Sequence, residues 1–215
     1  MYGAVIDVAI TTRGRRTQEE RSTATRTKLL DATVECLFEL GYAGTTTTEI
    51  ADRAGVSRGA QLHHFPTKAE LVTTAVEHLF NRRVEEFREA FSRLPAGADR
   101  ESAAIDLLWS MISGPTFYAW LEIVVASRTD PDLRRTVAGI SKRFEEQVQR
   151  TFRDLFPASD SPGPIFDVVP SFTFSLLEGL ALGKIVFEDE LKRNAVLQTL
   201  KTMAGLFMPA GSKGV

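Results

Sequence analysis

The chain has 215 residues, 43% hydrophobic and 25% charged, with a formal net charge of −2 and one cysteine. That balance belongs to a globular chain long enough to bury a core in one large or two small domains, and a single cysteine excludes an internal disulfide. The opening "MYGAVIDVAITTRGRR" carries Asp7 in a short apolar run with no basic residue before it, so it reads poorly as a secretory leader. No stretch approaches the roughly 20 apolar residues of a membrane span, so the expectation is a cytoplasmic protein without a membrane partner.

Charge distribution says more than net charge. Arg13, Arg15, Arg16, Arg21, Arg26 and Lys28 face only Glu19 and Glu20 in the same segment, whereas from Glu70 onward 17 cations meet 20 acids. A basic arm on an acidic body suits a phosphate-facing end, and a solvated tail is the plainer reading.

Strand signals are almost absent, and helical periodicity begins at Ala24–Leu40, where Leu30, Val34, Leu37, Phe38 and then Tyr42 recur at about 3.6 residues. Gly41 is placed to end that helix. Thr46 with Glu49 reads as a capping box opening a short helix over Thr47–Ala54. Gly55 allows a tight turn, Ser57 caps a second short helix over Arg58–His64, and Pro66 stops it. Thr67 caps a long helix to about Leu94, with Leu71, Val72, Ala75, Leu79, Val84, Phe87 and Phe91 inward. "PAGAD" (95–99) connects to a helix over about Arg100–Ser113, which Gly114-Pro115 breaks. Phe117, Trp120, Leu121, Val124 and Val125 mark the next helix, and Asp130-Pro131 opens another reaching Phe156. After the loop "PASDSPGP" (157–164), two final helices span about Ile165–Phe187 and Asp189–Met208. The expected fold is all-α with nine helices in two domains: a flexible arm over 1–22, a helix-turn-helix domain over 23–70 and a helical ligand-binding and dimerisation domain over 71–210.

Helices as short as Thr47–Ala54 and Arg58–His64 are marginal alone. Joined by a glycine turn and backed by flanking helices through Leu37, Phe38, Ile50, Val56, Phe65 and Leu71, they form a helix-turn-helix pattern, in which the second helix enters a DNA major groove. Arg58, on the first turn of that helix, can reach guanine O6 and N7 in bidentate fashion. Gly59 and Ala60 are small enough for close approach, Gln61 either reads adenine or faces the bundle, and Thr47 and Thr48 sit where hydroxyls and free N–H groups hold phosphate.

The stretch "LLDATVECLFELGYAGTTTTEIADRAGVSRGAQLHHFPTKAELV" resembles the DNA-binding domain of TetR-type transcriptional regulators, through the Thr-Thr pair, Ile50-Ala51, Ala54-Gly55-Val56-Ser57, Gly59, His64-Phe65 and Lys68. The resemblance implies phosphate contacts for His64 and Lys68. That family often carries tyrosine where Leu62 stands, so one phosphate-contacting hydroxyl is absent and His63 is the candidate to replace it. The resemblance further implies a double-stranded DNA operator, a homodimer whose last two helices pair with their copies, and a small-molecule effector; repression is the family's usual mode.

For the second domain, Trp109, Met111, Phe117, Tyr118, Trp120, Phe144 and Phe174 are candidates to line an apolar pocket, against the plainer reading that they fill a core. Leu121 lies beside them. Glu122, next to these aromatics, would favour a cationic ligand if it faces the cavity and is a solvated edge otherwise. "IFDVVPSFTFSLLEGLALGKIVF" is apolar almost all round, as in a helix buried on several sides. Its Pro170 should kink or unwind it. Gly179 and Gly183, spaced by four, clear a patch for close helix approach, and with Leu176 and Leu180 they form the expected dimer surface. An enzyme is not expected: Cys36 sits beside an apolar helix face, His63, His64 and His78 lack metal-ligand spacing, and no P-loop or GxGxxG is present, so neither metal nor cofactor is called for. A ligand-independent architectural DNA-binding protein is the alternative.

Overall fold

The computed structural model describes residues 17–95, 98–157, 164–187 and 189–207. Arg13, Arg15, Arg16 and most of the "PASDSPGP" loop lie outside them. Among the described residues are nine helices and no strand: α1 (Gln18–Gly44), α2 (Thr47–Ala54), α3 (Arg58–His64), α4 (Lys68–Ser92), α5 (Arg100–Ile112), α6 (Pro115–Ser127), α7 (Pro131–Leu155), α8 (Pro164–Val186) and α9 (Glu190–Phe207).

The first helix starts earlier than its apolar period suggests, so residues 18–22 belong to α1 rather than to a flexible arm. Thr17 and Glu20 form a complete capping box: the Thr17 N–H donates to Glu20 Oε2 at 2.8 Å and the Glu20 N–H to Thr17 Oγ1 at 3.2 Å. Glu19 and Glu20 also place negative charge at the helix N-terminus. At the other end, Gly41 (φ 68°, ψ 173°) breaks the helical path, and a further turn runs to Gly44. At Thr46 only half of the expected box forms. Its hydroxyl accepts from the Glu49 N–H, while the Glu49 carboxylate pairs with Arg53 at 3.7 Å.

Two cores share α1 and α4. One joins Leu29, Leu30, Ala32 and Cys36 of α1 to Ile50, Phe65, Leu71 and Ala75, with Ala54 and Val56 packed on it. This is the missing support for the two short helices. The other joins Leu37 to Val72, Val76 and Phe80 of α4, Ala119 and Ile123 of α6, and Leu133, Val137 and Ile140 of α7. Leu37 therefore serves the junction between the two units. Phe38, expected inside, is exposed and rests against Tyr118 with ring centroids 6.1 Å apart.

The remaining cores tie α5 and α6 to α8 and α9 through Ile105, Ile112, Phe117, Leu177, Ala181, Leu197 and Leu200, and α4 to α5, α7 and α8 through Phe87, Phe91, Ala104, Phe156 and Phe166. The helix α8 runs through Pro170 without the expected unwinding. It also overturns the expectation that no stretch has the length of a membrane span. Phe166–Val186 covers 21 residues at mean hydropathy 1.3, long and apolar enough to cross a bilayer. Asp167, Glu178 and Lys184 interrupt the run, which hid it from a search for unbroken apolar sequence.

Candidate nucleic-acid interface and ligand cavity

The turn between α2 and α3 is set by its caps. Gly55 adopts the left-handed conformation (φ 63°), and the Val56 N–H closes back onto the Ala51 carbonyl at 2.9 Å. The Ser57 hydroxyl then accepts from the Ala60 N–H at 3.2 Å to start α3. Gln61 faces the bundle: it is fully buried, and its Nε2 donates to the Phe65 carbonyl at 2.7 Å. It is thereby removed from base reading.

The outward face of α3 carries Arg58, Gly59, Leu62 and His63, with Ala60 half-buried at its edge. The Arg58 guanidinium donates to the Thr48 hydroxyl, bringing the N-termini of α2 and α3 together. Thr48 is exposed and Thr47 half-buried. A Cβ added at Gly59 would meet nothing within 4 Å, so its smallness serves no packing within the protomer. His64 is half-buried beside His63, at a ring separation of 5.6 Å. Burial, His63 and Arg26 push its pKa below the ordinary histidine value, leaving a neutral imidazole near neutral pH.

Lys68 differs from the expectation of a free phosphate clamp. Its ammonium donates to the Tyr42 carbonyl at 2.6 Å, lies 4.2 Å from the centre of the Tyr42 ring, and has its pKa lowered by burial. It ties α4 to the end of α1. Glu122 completes that junction from α6. Its Oε2 accepts from the Tyr42 N–H at 3.0 Å and lies 2.8 Å from where a Cβ on Gly41 would stand. The expectation of a pocket carboxylate at Glu122 is thus corrected: it is an exposed residue bound to the α1 break.

A cavity of about 200 Å3 lies deeper in the second unit. Of the expected residues, Met111, Phe117, Trp120, Phe144 and Phe174 line it. Trp109, Tyr118 and Leu121 do not. Trp109 packs toward α9, where the Arg193 guanidinium lies 5.9 Å from its ring. Tyr118 donates to the Ala181 carbonyl at 3.3 Å, and Leu121 packs into the core of α5, α6, α8 and α9. The wall also contains Val84 and Phe87, which periodicity assigned only to the core, together with Phe80 on α4 and Phe152 and Phe156 at the end of α7. Glu101 and Glu178 are its carboxylates, and burial raises the pKa of Glu178. The spacing Pro170, Phe174, Glu178 on one helix face was its available signal. Arg83 lines the cavity with Nε donating to Thr116 Oγ1 at 3.2 Å and Nη1 to Glu86 at 2.6 Å.

On its opposite side α8 exposes Val168, Phe172, Gly179, Leu182 and Val186, spaced alternately by three and four residues or by seven. Added Cβ atoms at Gly179 and Gly183 would meet nothing within 4 Å. Leu176 and Leu180, expected on this face, instead turn partly inward onto the α5–α6–α9 core.

The model for bacterial regulatory proteins of the tetR family matches residues 29–75, spanning both short helices and their supports. An uncharacterized HTH-type transcriptional regulator of Mycobacterium tuberculosis is 30% identical over 194 residues, covering 89% of this chain and 99% of that protein. The HTH-type transcriptional regulator CymR of Pseudomonas putida is 31% identical over 188 residues, covering 86% and 93%. Among solved structures, the transcriptional regulator FadR of Bacillus subtilis in complex with stearoyl-CoA has the same fold, at TM-score 0.60 and 16% identity, covering 88% of this chain and 99% of that one. With two relatives matched over nearly their whole length, this chain belongs to the TetR family and is an HTH-type DNA-binding transcriptional regulator, not an enzyme.

Proposed function

We propose that this regulator binds a palindromic double-stranded operator as a homodimer, represses from it, and is released by a small apolar or aromatic effector. The observation that carries the reading is the position of the apolar cavity. Its wall includes Phe80 of α4 and Trp120 of α6, and these two helices also hold the DNA-binding unit through Val72, Val76, Ala119 and Ile123. A ligand shifts an equilibrium only by binding two protein states differently. Reshaping the cavity wall moves helices that reach the recognition unit without intermediaries. The regulator FadR of Bacillus subtilis, which has the same fold, is in complex with stearoyl-CoA, which supports an effector of some kind for this chain too. The DNA-facing set is Thr47, Thr48, Arg58, Gly59, Ala60, Leu62 and His63, with His64 at its margin.

The test has two steps. Selection from a random DNA pool is expected to yield a palindrome with half-sites about one helical turn apart. A small-molecule thermal-shift screen is then expected to give stabilising aromatics that lower affinity for that operator. Ala104→Trp, which fills the cavity from α5, should keep operator binding and lose the response. Release that persists unchanged in Ala104→Trp would place the effector elsewhere.

A further inference from the structure

The α8 wall of the cavity runs through Pro170, Phe174 and Glu178, each four residues from the next, so all three face the same way. Among the described residues, no hydrogen bond or ion pair reaches the Glu178 carboxyl. A carboxylate against an apolar wall without a partner is costly, and burial accordingly pushes its pKa up. The residue is half-buried and lines the cavity with no protein partner among the described residues, so the group is placed for a ligand.

The surrounding chemistry selects the ligand's charge. Glu178 faces the cavity without a hydrogen bond or ion pair among the described residues, whereas the guanidinium that lines it, Arg83, is already paired with Glu86. The local field therefore disfavours anions. Aromatic rings form a continuous chain: Phe80 to Trp120 at 5.1 Å, Phe80 to Phe144 at 4.4 Å, and Phe144 to Phe174 at 5.7 Å. Such rings supply both apolar contact and negative ring faces for a cation. Phe174 stands one turn before Glu178, so the rings and the carboxylate adjoin.

We propose that the cavity binds a compact hydrophobic amine, its ammonium on the Glu178 carboxylate and its apolar part among Phe80, Trp120, Phe144 and Phe174. A volume of about 200 Å3 suits a single aromatic ring with a short chain, given that a cavity of about 150 Å3 holds benzene. The proposal deepens the effector reading above by naming the ligand's chemical class.

The test uses the full-length protein and three probes sharing one hydrophobe: phenethylamine, phenethyl alcohol and phenylacetate. Calorimetric titration at neutral pH should place the amine at least about tenfold tighter than the alcohol, and phenylacetate weakest. Glu178→Gln, with its thermal transition checked, should remove that preference while leaving the alcohol within about threefold of wild type; Glu178→Asp should retain part of it. Equal binding of amine and alcohol, a preference that survives in Glu178→Gln, or no binding by any probe would overturn the proposal. Operator release is measured separately. An amine that binds through Glu178 without releasing DNA would refute the effector reading and leave the ligand assignment standing.

Discussion

Arg58 and Lys68 begin adjacent helices, yet their surroundings give them different work. Arg58 is exposed and, among the described residues, its guanidinium hydrogen-bonds only the Thr48 hydroxyl, so a base edge can compete for it. Lys68 is engaged by the Tyr42 carbonyl and ring. Arg58→Ala should relax base preference at one position per half-site and cost about 1–3 kcal/mol of operator binding, with little effect on folding. Lys68→Ala should instead lower the thermal midpoint, and weaken binding evenly across DNA sequences. Titrations on matched and one-base-changed operators, alongside melting curves, separate the two. Gly41 is a sharper case. Its φ of 68° with ψ of 173° lies in a region essentially reserved for glycine, and Glu122 Oε2 lies only 2.8 Å from where a Cβ would stand. Gly41→Ala should destabilise by about 1–3 kcal/mol. Adding Glu122→Ala should relieve the collision and leave the backbone penalty, so the double variant stays less stable than wild type in denaturant titration. Glu178 gives a pH dependence whose sign follows from its raised pKa. A carboxyl that binds its proton more tightly when folded favours the folded state at low pH, and that advantage is lost as pH rises from the ordinary carboxylate value through the raised one. Glu178→Gln should therefore melt higher than wild type at neutral pH, with the gap closing as pH falls into the ordinary carboxylate range. Arg83 and Glu101, the other charged groups on that cavity, are unchanged in the comparison.

At the scale of elements, what the sequence made legible is what local chemistry decides. Caps at Thr46, Ser57, Thr67 and Asp130, the turn at Gly55 and the break at Gly114-Pro115 all stand where composition places them. The exception is instructive. The apolar period of α1 begins only at Ala24, but Thr17-Gln18-Glu19-Glu20 starts the helix six residues sooner, at Gln18, because a capping box and two acidic first-turn residues need no buried face. Which side of a helix meets a cavity is not a local property. Trp109 and Met111 lie two residues apart on α5, yet only Met111 reaches the cavity, because α9 covers the other side. Glu122 misses the cavity for the same reason: neither period nor composition records that α6 turns its Glu122 edge toward α1. Thr17→Ala should lower stability by about 1 kcal/mol, and amide exchange should show the added opening confined to the first turns of α1.

For the whole molecule, the unresolved quantity in one protomer is the outer side of α8. The helix is apolar enough to span a bilayer, yet only 22% of its most hydrophobic window is buried. Phe172, Leu182, Val186 and the following Phe187 are exposed, as is Leu191 at the start of α9. A contiguous apolar stripe of this kind marks an interaction surface, and glycines at 179 and 183 let another helix approach closely. On the proposed reading as a homodimer on a palindrome, a second copy of the chain would cover the stripe, since two recognition helices would have to be held about one DNA turn apart. The protomer itself does not need the glycines small, because a Cβ at either position meets nothing within 4 Å. That makes the test clean. Gly179→Leu and Gly183→Leu should leave the helical content and thermal transition of the protomer near wild type while separating the facing helices. Leu182→Glu should do the same by placing a charge in the stripe. In sedimentation equilibrium each variant should shift toward monomer. Operator affinity should fall with dimer concentration, while a duplex carrying one half-site is bound as weakly as by wild type. A stable dimer with full operator affinity in all three variants would exclude this face of α8 from the interface, and the spacing of the two recognition helices would have to be set by other surfaces.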